Sequence, residues 1–364
     1  MPVREATLND KEKWNTFVET QDGSMFHYFD WKNIYEVQHW HYIPLLFEDT
    51  STEIIGILPL VKIHGLLYSK LISLPEGASG GFVFKKGLTT AKKAQVMNIF
   101  LHHIEQHYSK GCSTFTLKEN LSLQDATRTT PTELFIKNGF TFHFDNDAKL
   151  PCTYLLQLTP SFEEGIWNGL WGKYLRNHIR KSQKKGVHIR EETNLDHNND
   201  IITMFLSTYK RFGSLPISAE EIMLRLTTFN DKTKVWVAFL NDTPIASLIC
   251  YNLSSICYAS KMVYDDSARE NHATALLFYE AIRDACKNGY QFFEFGVTVS
   301  SSLAYWKEQF MPLKIPMRIY EKRYSTLRTF FERTSQDLKW AWNNKSYVWH
   351  NRRQLIREIV RKKM

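Results

Sequence analysis

Glu294 stands between Phe293 and Phe295, so the alternation of an extended strand turns its carboxylate to the face opposite both rings. A carboxylate in such an apolar run is costly to bury unless it is paired. Either it becomes a base with a raised pKa, or it is ion-paired to Arg or Lys for structure. Lys173, Arg176, Arg180 and Lys184 recur at three and four residues, which sets them on one face of a helix. That face suits a polyanion, such as a nucleotide-sugar diphosphate, tRNA or a lipid-linked pyrophosphate, and it equally suits plain solvent. Arg211, just before Phe212-Gly213, is a similar cation at a helix end. His27, His39 and His41 lie in a stretch dense in aromatics, Phe26 to Tyr42. They lack a carboxylate or cysteine at ligand spacing, so no metal site is expected. Gly77-Ala78-Ser79-Gly80-Gly81 is not followed by Lys-Ser/Thr and is no P-loop. It reads as a tight turn shaping a cleft.

The residues that must position Glu294 run from Val235 to Phe310. They read as strands Val235–Leu240, Ile245–Leu253 and Ile256–Val263, a helix Ala268–Lys287, and a strand Tyr290–Phe295. In the helix, Glu280, Arg283, Asp284 and Lys287 share a wet face, leaving Leu276, Leu277, Phe278, Ile282 and Ala285 to pack on a sheet. Upstream, Ile43–Phe47 and Ile54–Ile63 form a hairpin, Thr89–Tyr108 is an amphipathic helix, and Ser113–Leu117 is a strand. The two stretches share landmarks in the same order. Leu46-Phe47-Glu48-Asp49 parallels Phe239-Leu240-Asn241-Asp242, and Lys110-Gly111 before a strand parallels Asn288-Gly289 before Tyr290. The pattern predicts one α+β unit used twice. A helical stretch, Phe162–Lys185, precedes the second core, and a strand around Lys314–Tyr320 closes it.

At 364 residues two domains are the natural count, and 43% hydrophobic residues with 14% aromatics suffice for packed cores. The expected division is residues 1–150, 151–322 and a basic helical extension, 323–364. Five cysteines without paired spacing suggest a reduced, cytoplasmic protein and no zinc site. The N-terminus has no signal-peptide pattern, and no apolar run nears the ~20 residues that span a bilayer. The net charge of +8 is uneven: Lys322 to Met364 hold twelve Lys or Arg against three acids, +9, leaving −1 elsewhere. Trp340, Trp342, Tyr347 and Trp349 intersperse these cations. The tail therefore suits an anionic membrane surface, RNA, or packing on the body.

The motifs also carry a resemblance. Ile55-Gly56-Ile57-Leu58-Pro59-Leu60, Leu74-Pro75 through Gly80-Gly81, and the basic run from Lys173 to Val187 stand in order with three later motifs. These are Tyr209-Lys210-Arg211-Phe212-Gly213, Phe293-Glu294-Phe295-Gly296 and Trp306-Lys307-Glu308-Gln309-Phe310. From about residue 30 to 320 the chain resembles the Fem-type transferases, the non-ribosomal peptidyltransferases of peptidoglycan bridge synthesis, and related GNAT-like acyltransferases. The resemblance implies two tandem GNAT-like domains with donor and acceptor sites in a cleft formed mainly by the second. It assigns Lys307, beside Trp306, to the donor carbonyl or a donor phosphate; Glu294 is a candidate base from its place in the strand. Lys173, Arg176, Arg180, Arg211, Trp306 and Arg269 are the candidate substrate contacts.

Three departures stand out. Glu294 replaces the usual aspartate and Val297 a common second glycine. The coiled-coil arm of some peptidyltransferases is missing between Arg180 and Val235. The GNAT pyrophosphate signature would fall at Arg269–Thr274, where neither glycine is kept. Side chains there block the approach of backbone amides to a pyrophosphate. The implied activity is acyl or aminoacyl transfer to an amino group of an envelope precursor, peptidoglycan or polysaccharide. No cofactor is bound; the donor, aminoacyl-tRNA or acyl-CoA, is a co-substrate, and tRNA is then a partner. The alternatives are an acyl-CoA-dependent N-acyltransferase of an amino sugar, and a non-catalytic RNA- or membrane-binding module with peripheral contact at the inner membrane face.

Overall fold

The computed structural model describes residues 3–65, 67–119, 132–143, 151–192, 197–211 and 217–343. Fifteen strands among them form two mixed sheets. In chain order they are β1 (Arg4–Glu5), β2 (His41–Glu48), β3 (Ile54–His64), β4 (Ser69–Ile72), β5 (Val83–Phe84), β6 (Cys112–Lys118), β7 (Thr141–His143) and β8 (Cys152–Gln157). There follow β9 (His188–Glu191), β10 (Thr233–Leu240), β11 (Thr243–Leu253), β12 (Ile256–Tyr264), β13 (Phe292–Glu294), β14 (Leu313–Pro316) and β15 (Ile319–Arg323). The helices are α1 (Lys11–Thr20), α2 (Trp31–Val37), α3 (Thr90–His107), α4 (Thr132–Lys137), α5 (Lys173–Lys184) and α6 (Asn198–Arg211). They continue with α7 (Ala219–Thr227), α8 (Asp266–Glu270), α9 (Ala273–Lys287), α10 (Ser301–Glu308) and α11 (Thr326–Asn343). No described helix is long and apolar enough to cross a membrane.

The repeated unit is visible in the pairing. β2, β3 and β4 run antiparallel, and after α3 the chain returns as β6, parallel to β4. β10, β11 and β12 likewise run antiparallel, and after α9 the chain returns as β13, parallel to β12. This is the tandem α+β arrangement expected from the sequence.

Its closure differs from that expectation. The single strand predicted around Lys314–Tyr320 is two strands in two sheets. β14 pairs with β8 in the second sheet, whereas β15 crosses to the first and lies between β6 and β7. β8, the first strand after β7, opens the second sheet and lies between β13 and β14. The first sheet is thus completed by a strand from beyond the second repeat: a cut at 150/151 falls between the two sheets, whereas one at 322/323 falls inside β15, a strand of the first sheet. Two predicted helices are also interrupted. The one over Ala268–Lys287 breaks between α8 and α9, where His272 adopts a left-handed φ of 56°. The one over Phe162–Lys185 is a π-helical turn, Phe162–Asn168, followed by α5 after the Gly169–Gly172 break.

Three cores result. One lies between the first sheet and α3, with Phe100, Phe115 and Tyr320. The second lies between the second sheet and α5 and α9, with Trp171, Leu276, Phe293 and Phe295. The third joins the two halves: Trp14, Phe26, Trp31 and Tyr35 of the first pack with Phe205, Ile222, Tyr251 and Tyr258 of the second. Most of the aromatic stretch Phe26–Tyr42 is spent there. In the described part of the extension, α11 docks on β6, where Glu332 accepts from Ser113 at 2.6 Å. The tail beyond residue 343 lies outside the described residues.

Candidate active site

β12 and β13 are parallel partners for only three residues, Ile256 to Tyr258 against Phe292 to Glu294. Beyond them β12 continues to Tyr264 while the other chain turns through Gly296. The sheet therefore forks. Gly296 has φ +76°, and a Cβ there would meet the Ala259 carbonyl at 2.8 Å, so only glycine can turn so close to β12.

Side-chain alternation decides what faces the fork. Phe293 and Phe295 point into the second core, so Glu294 points to the opposite, inter-domain face, beside Tyr258. A bulge changes the phase of β12. Ile249 pairs with Lys261 and Cys250 with Ala259, leaving Ser260 unpaired. The extra residue puts Tyr258, Lys261 and Val263 on the inter-domain face, where strict alternation would send Lys261 elsewhere.

Glu294 is 6% exposed. One carboxylate oxygen accepts from the Thr153 hydroxyl, and the other, Oε2, has no hydrogen-bond partner among the described residues. Burial pushes its pKa up, outweighing Thr153 and the more distant positive charge of Lys307. Lys307, 4% exposed, donates to the Gly296 carbonyl at 2.8 Å, the Val297 carbonyl at 3.3 Å and Thr298 Oγ1 at 3.0 Å. All three ammonium donors thus have partners on the loop leaving β13. Burial lowers its pKa to about 8, opposed by Glu294. The two groups share a neighbour: Gly296 O accepts from both Thr153 and Lys307.

A second buried ionic group faces the fork from across the domain interface. Glu76, on the glycine-rich turn, accepts from Arg225 of α7 at 2.8 Å and pairs with Lys261 at 3.1 Å. Arg225 is 1% exposed and also binds Glu221 at 2.6 Å. Lys118, at the end of β6, donates to the Pro75 and Gly77 carbonyls at 3.0 and 3.2 Å. Burial lowers its pKa to about 8. The turn is held close by its glycines. A Cβ on Gly81, at φ +76°, would lie 2.1 Å from the Lys118 carbonyl. This turn is legible in the sequence, whereas the roles of Lys118, Arg225 and Lys261 are not. The available signals were Lys261 in mid-strand and Arg225 on the apolar face of α7, beside Ile222 and Leu226.

The other sequence candidates are placed apart from Glu294. Lys173, Arg180 and Lys184 are exposed on the outer face of α5, whose inner face packs on α9. That is the side of the second core, opposite the domain interface. Arg176 donates to the Trp167 carbonyl at 2.9 Å, and Arg180 sits 5.4 Å over the Trp167 ring. Arg211 ties α6 to the end of β12 through the Tyr264 carbonyl and Asp266. Trp306 packs in the second core against Phe278 and Phe310. Arg269 is exposed on α8. At the position of the pyrophosphate signature, His272 stacks on His178 of α5, centroids 4.2 Å apart. No metal-ligating group of three occurs among the described residues.

Residues 173–308 match the acetyltransferase (GNAT) domain family. No curated protein matches by sequence. Solved structures match over nearly the whole chain. FemX superposes with a TM-score of 0.68 at 11% identity, covering 92% of this chain and 99% of its own. The C-terminal domain of a putative lysylphosphatidylglycerol synthetase from Agrobacterium fabrum gives 0.58 at 11% identity, covering 90% and 96%. A tandem GNAT protein from the clavulanic acid biosynthesis pathway gives 0.52 at 10%, covering 89% and 98%. At these identities the likeness is one of fold. Residues 173–308 match the GNAT domain, and the chain as a whole has the fold of FemX and of a tandem GNAT protein.

Proposed function

We propose that the protein transfers an acyl or aminoacyl group to an amino group of a cell-envelope precursor, at the fork between β12 and β13. The observation that carries this reading is Glu294, a buried carboxylate with an unpartnered oxygen on the inter-domain face. In the reaction the acceptor nitrogen attacks the donor carbonyl. A C–N bond forms, the C–O bond of an aminoacyl ester or the C–S bond of a thioester breaks, and the leaving group takes a proton. Glu294 accepts the proton lost by the amine; its raised pKa brings it nearer the operating pH, where a general base works best. Lys307 fixes the loop 296–298 that borders the fork, and its lowered pKa suits proton return to the leaving group. The glycine-rich turn, Lys118 and Lys261 form the opposite wall, which suits an anionic portion of the precursor.

An aminoacyl donor fits the donor side better than CoA. Where a pyrophosphate would need bare backbone, the Arg269, Asn271 and His272 side chains stand, with His272 stacked on His178. The cations of α5 then serve as a phosphate-binding face for tRNA, with inner-face membrane contact left to the basic tail. Thermal stabilisation by aminoacyl-tRNA, acyl-CoA and nucleotide-linked amino sugars, tested in parallel at fixed salt, checks this. A donor at a hundred times its dissociation constant adds about 2.7 kcal/mol. Stabilisation by charged tRNA but not CoA is expected. Stabilisation by CoA alone moves the donor to the amino-sugar N-acyltransferase reading, and stabilisation by neither overturns the donor assignment.

A further inference from the structure

A cavity of about 300 Å³ opens where α1 of the first half meets the far end of the second sheet, lined by Glu19, Asp231, Lys232, Asn252, Leu253, Ser254 and Tyr290. It lies at the β11–β12 turn, and β12 runs from there toward the fork. Five residues separate Ile256 from Lys261, roughly 16 Å of strand. The cavity is therefore a different site from the one proposed for acyl transfer.

Asn252 is the feature that needs explaining. It is 6% exposed, its amide oxygen is buried, and its side chain makes no hydrogen bond among the described residues. Buried amides without partners are rare and costly in folded proteins. A half-turn about χ2 exchanges oxygen and nitrogen, so this amide can offer either a donor or an acceptor to the cavity. The remaining polar lining is mostly of acceptor type. Glu19 accepts from the Tyr28 hydroxyl and meets Lys232 at 3.4 Å, keeping further lone pairs. Asp231 has no ion-pair partner among the described residues, and its charge reaches Tyr290. Two carboxylates against one ammonium leave the cavity net negative.

We infer that this cavity binds a small molecule carrying a primary ammonium group, of amino-acid or amino-sugar size, with Asp231 and Asn252 as its chief contacts. An ammonium supplies three donors to a site rich in acceptors, and its charge offsets the excess carboxylate. The inference stands apart from the acyl-transfer reading, since none of the residues assigned to that reaction lines the cavity.

Calorimetric titration of the full chain with D-glucosamine and with L-alaninamide tests it, with N-acetyl-D-glucosamine as the matched probe lacking the ammonium. Saturable binding of glucosamine or alaninamide is expected, at least about tenfold tighter than N-acetylglucosamine. Which of the two binds identifies an amino sugar or an amino acid as the source. Asp231→Asn, an exposed position, and Asn252→Leu should each weaken binding by about tenfold or more. Glu294→Gln, at the other site, should leave it unchanged. No saturable binding, equal affinity for N-acetylglucosamine, or full affinity in folded Asp231→Asn overturns the inference, as does loss of binding in Glu294→Gln.

Discussion

Glu76 and Glu294 sit on the same domain interface, and their neighbours move them in opposite directions. Glu76 touches two cations, Arg225 at 2.8 Å and Lys261 at 3.1 Å, and these hold its pKa far below the usual carboxylate range despite burial. Glu294 touches a hydroxyl, and Lys307 touches carbonyls and a hydroxyl. With no direct opposite charge, burial moves both toward neutrality, Glu294 upward and Lys307 down to about 8. Charge contact makes a clamp. Its absence leaves burial to shift both groups toward their neutral forms. The first centre therefore ties the glycine-rich turn to α7 and β12, and the second is the one to which the proposed reaction assigns proton transfer.

The largest expected effect breaks the clamp. Arg225→Met leaves Glu221 without its cation in a nearly dry site and should cost about 3–5 kcal/mol, read by urea unfolding. An exposed pair such as Arg190–Asp242, with side chains 55% and 85% exposed, should cost at most about 1 kcal/mol when broken.

Glu294→Gln should do the reverse to stability and activity. Its raised pKa means that ionisation is disfavoured in the folded state, so its contribution is fullest at acid pH, below its ordinary value of 4.5. That stability is lost as pH rises through the folded pKa. The neutral amide removes this loss, so at pH 7 the variant should melt no lower than the wild type, measured by calorimetry. Turnover should fall by about 10²–10⁴ if the carboxylate is the base. Unchanged turnover would leave Glu294 as a strand residue with a structural hydrogen bond.

Lys307 provides a pH signature. Its folded pKa lies below the ordinary 10.5, so stability increases as pH rises from about 8 toward that value. If the ammonium form returns the proton, the rate falls above pH about 8, and Lys307→Arg should remove this alkaline limb while keeping part of the loop contacts. A limb that persists in the variant assigns the titration to another group. At the small end, Lys184→Ala on the exposed face of α5 should change stability by no more than about 0.5 kcal/mol. If that face binds tRNA, the variant weakens binding and lessens its salt dependence.

Much of the fold was legible because local pattern determines it. The packed face of α9, with Leu276, Leu277, Phe278, Ile282 and Ala285, and the alternation that turns Glu294 away from two phenylalanines were both in the sequence. The return of β15 to the first sheet was not. β15 is short, and nothing in its composition specifies β6 and β7, far back along the chain, as partners. Periodicity also passes through His272, because one left-handed residue interrupts a helix without changing the apolar pattern around it. The buried ionic cluster escaped because Lys118, Arg225 and Lys261 look like solvated charges until a bulge and an opposing domain surround them. The candidate site was thus half legible. Glu294 and Lys307 were found, but the cations singled out on α5 face away from Glu294, and those across the fork went unseen.

The most direct test of the comparison is the mass of the product formed from an aminoacyl-tRNA or acyl-CoA donor and an amine-bearing precursor, by wild type and Glu294→Gln at equal folded concentration. An amide product is expected with the wild type and about a hundredfold less with the variant, at an undiminished melting temperature. Equal product from both proteins contradicts it, because the buried carboxylate would then have no part in the transfer.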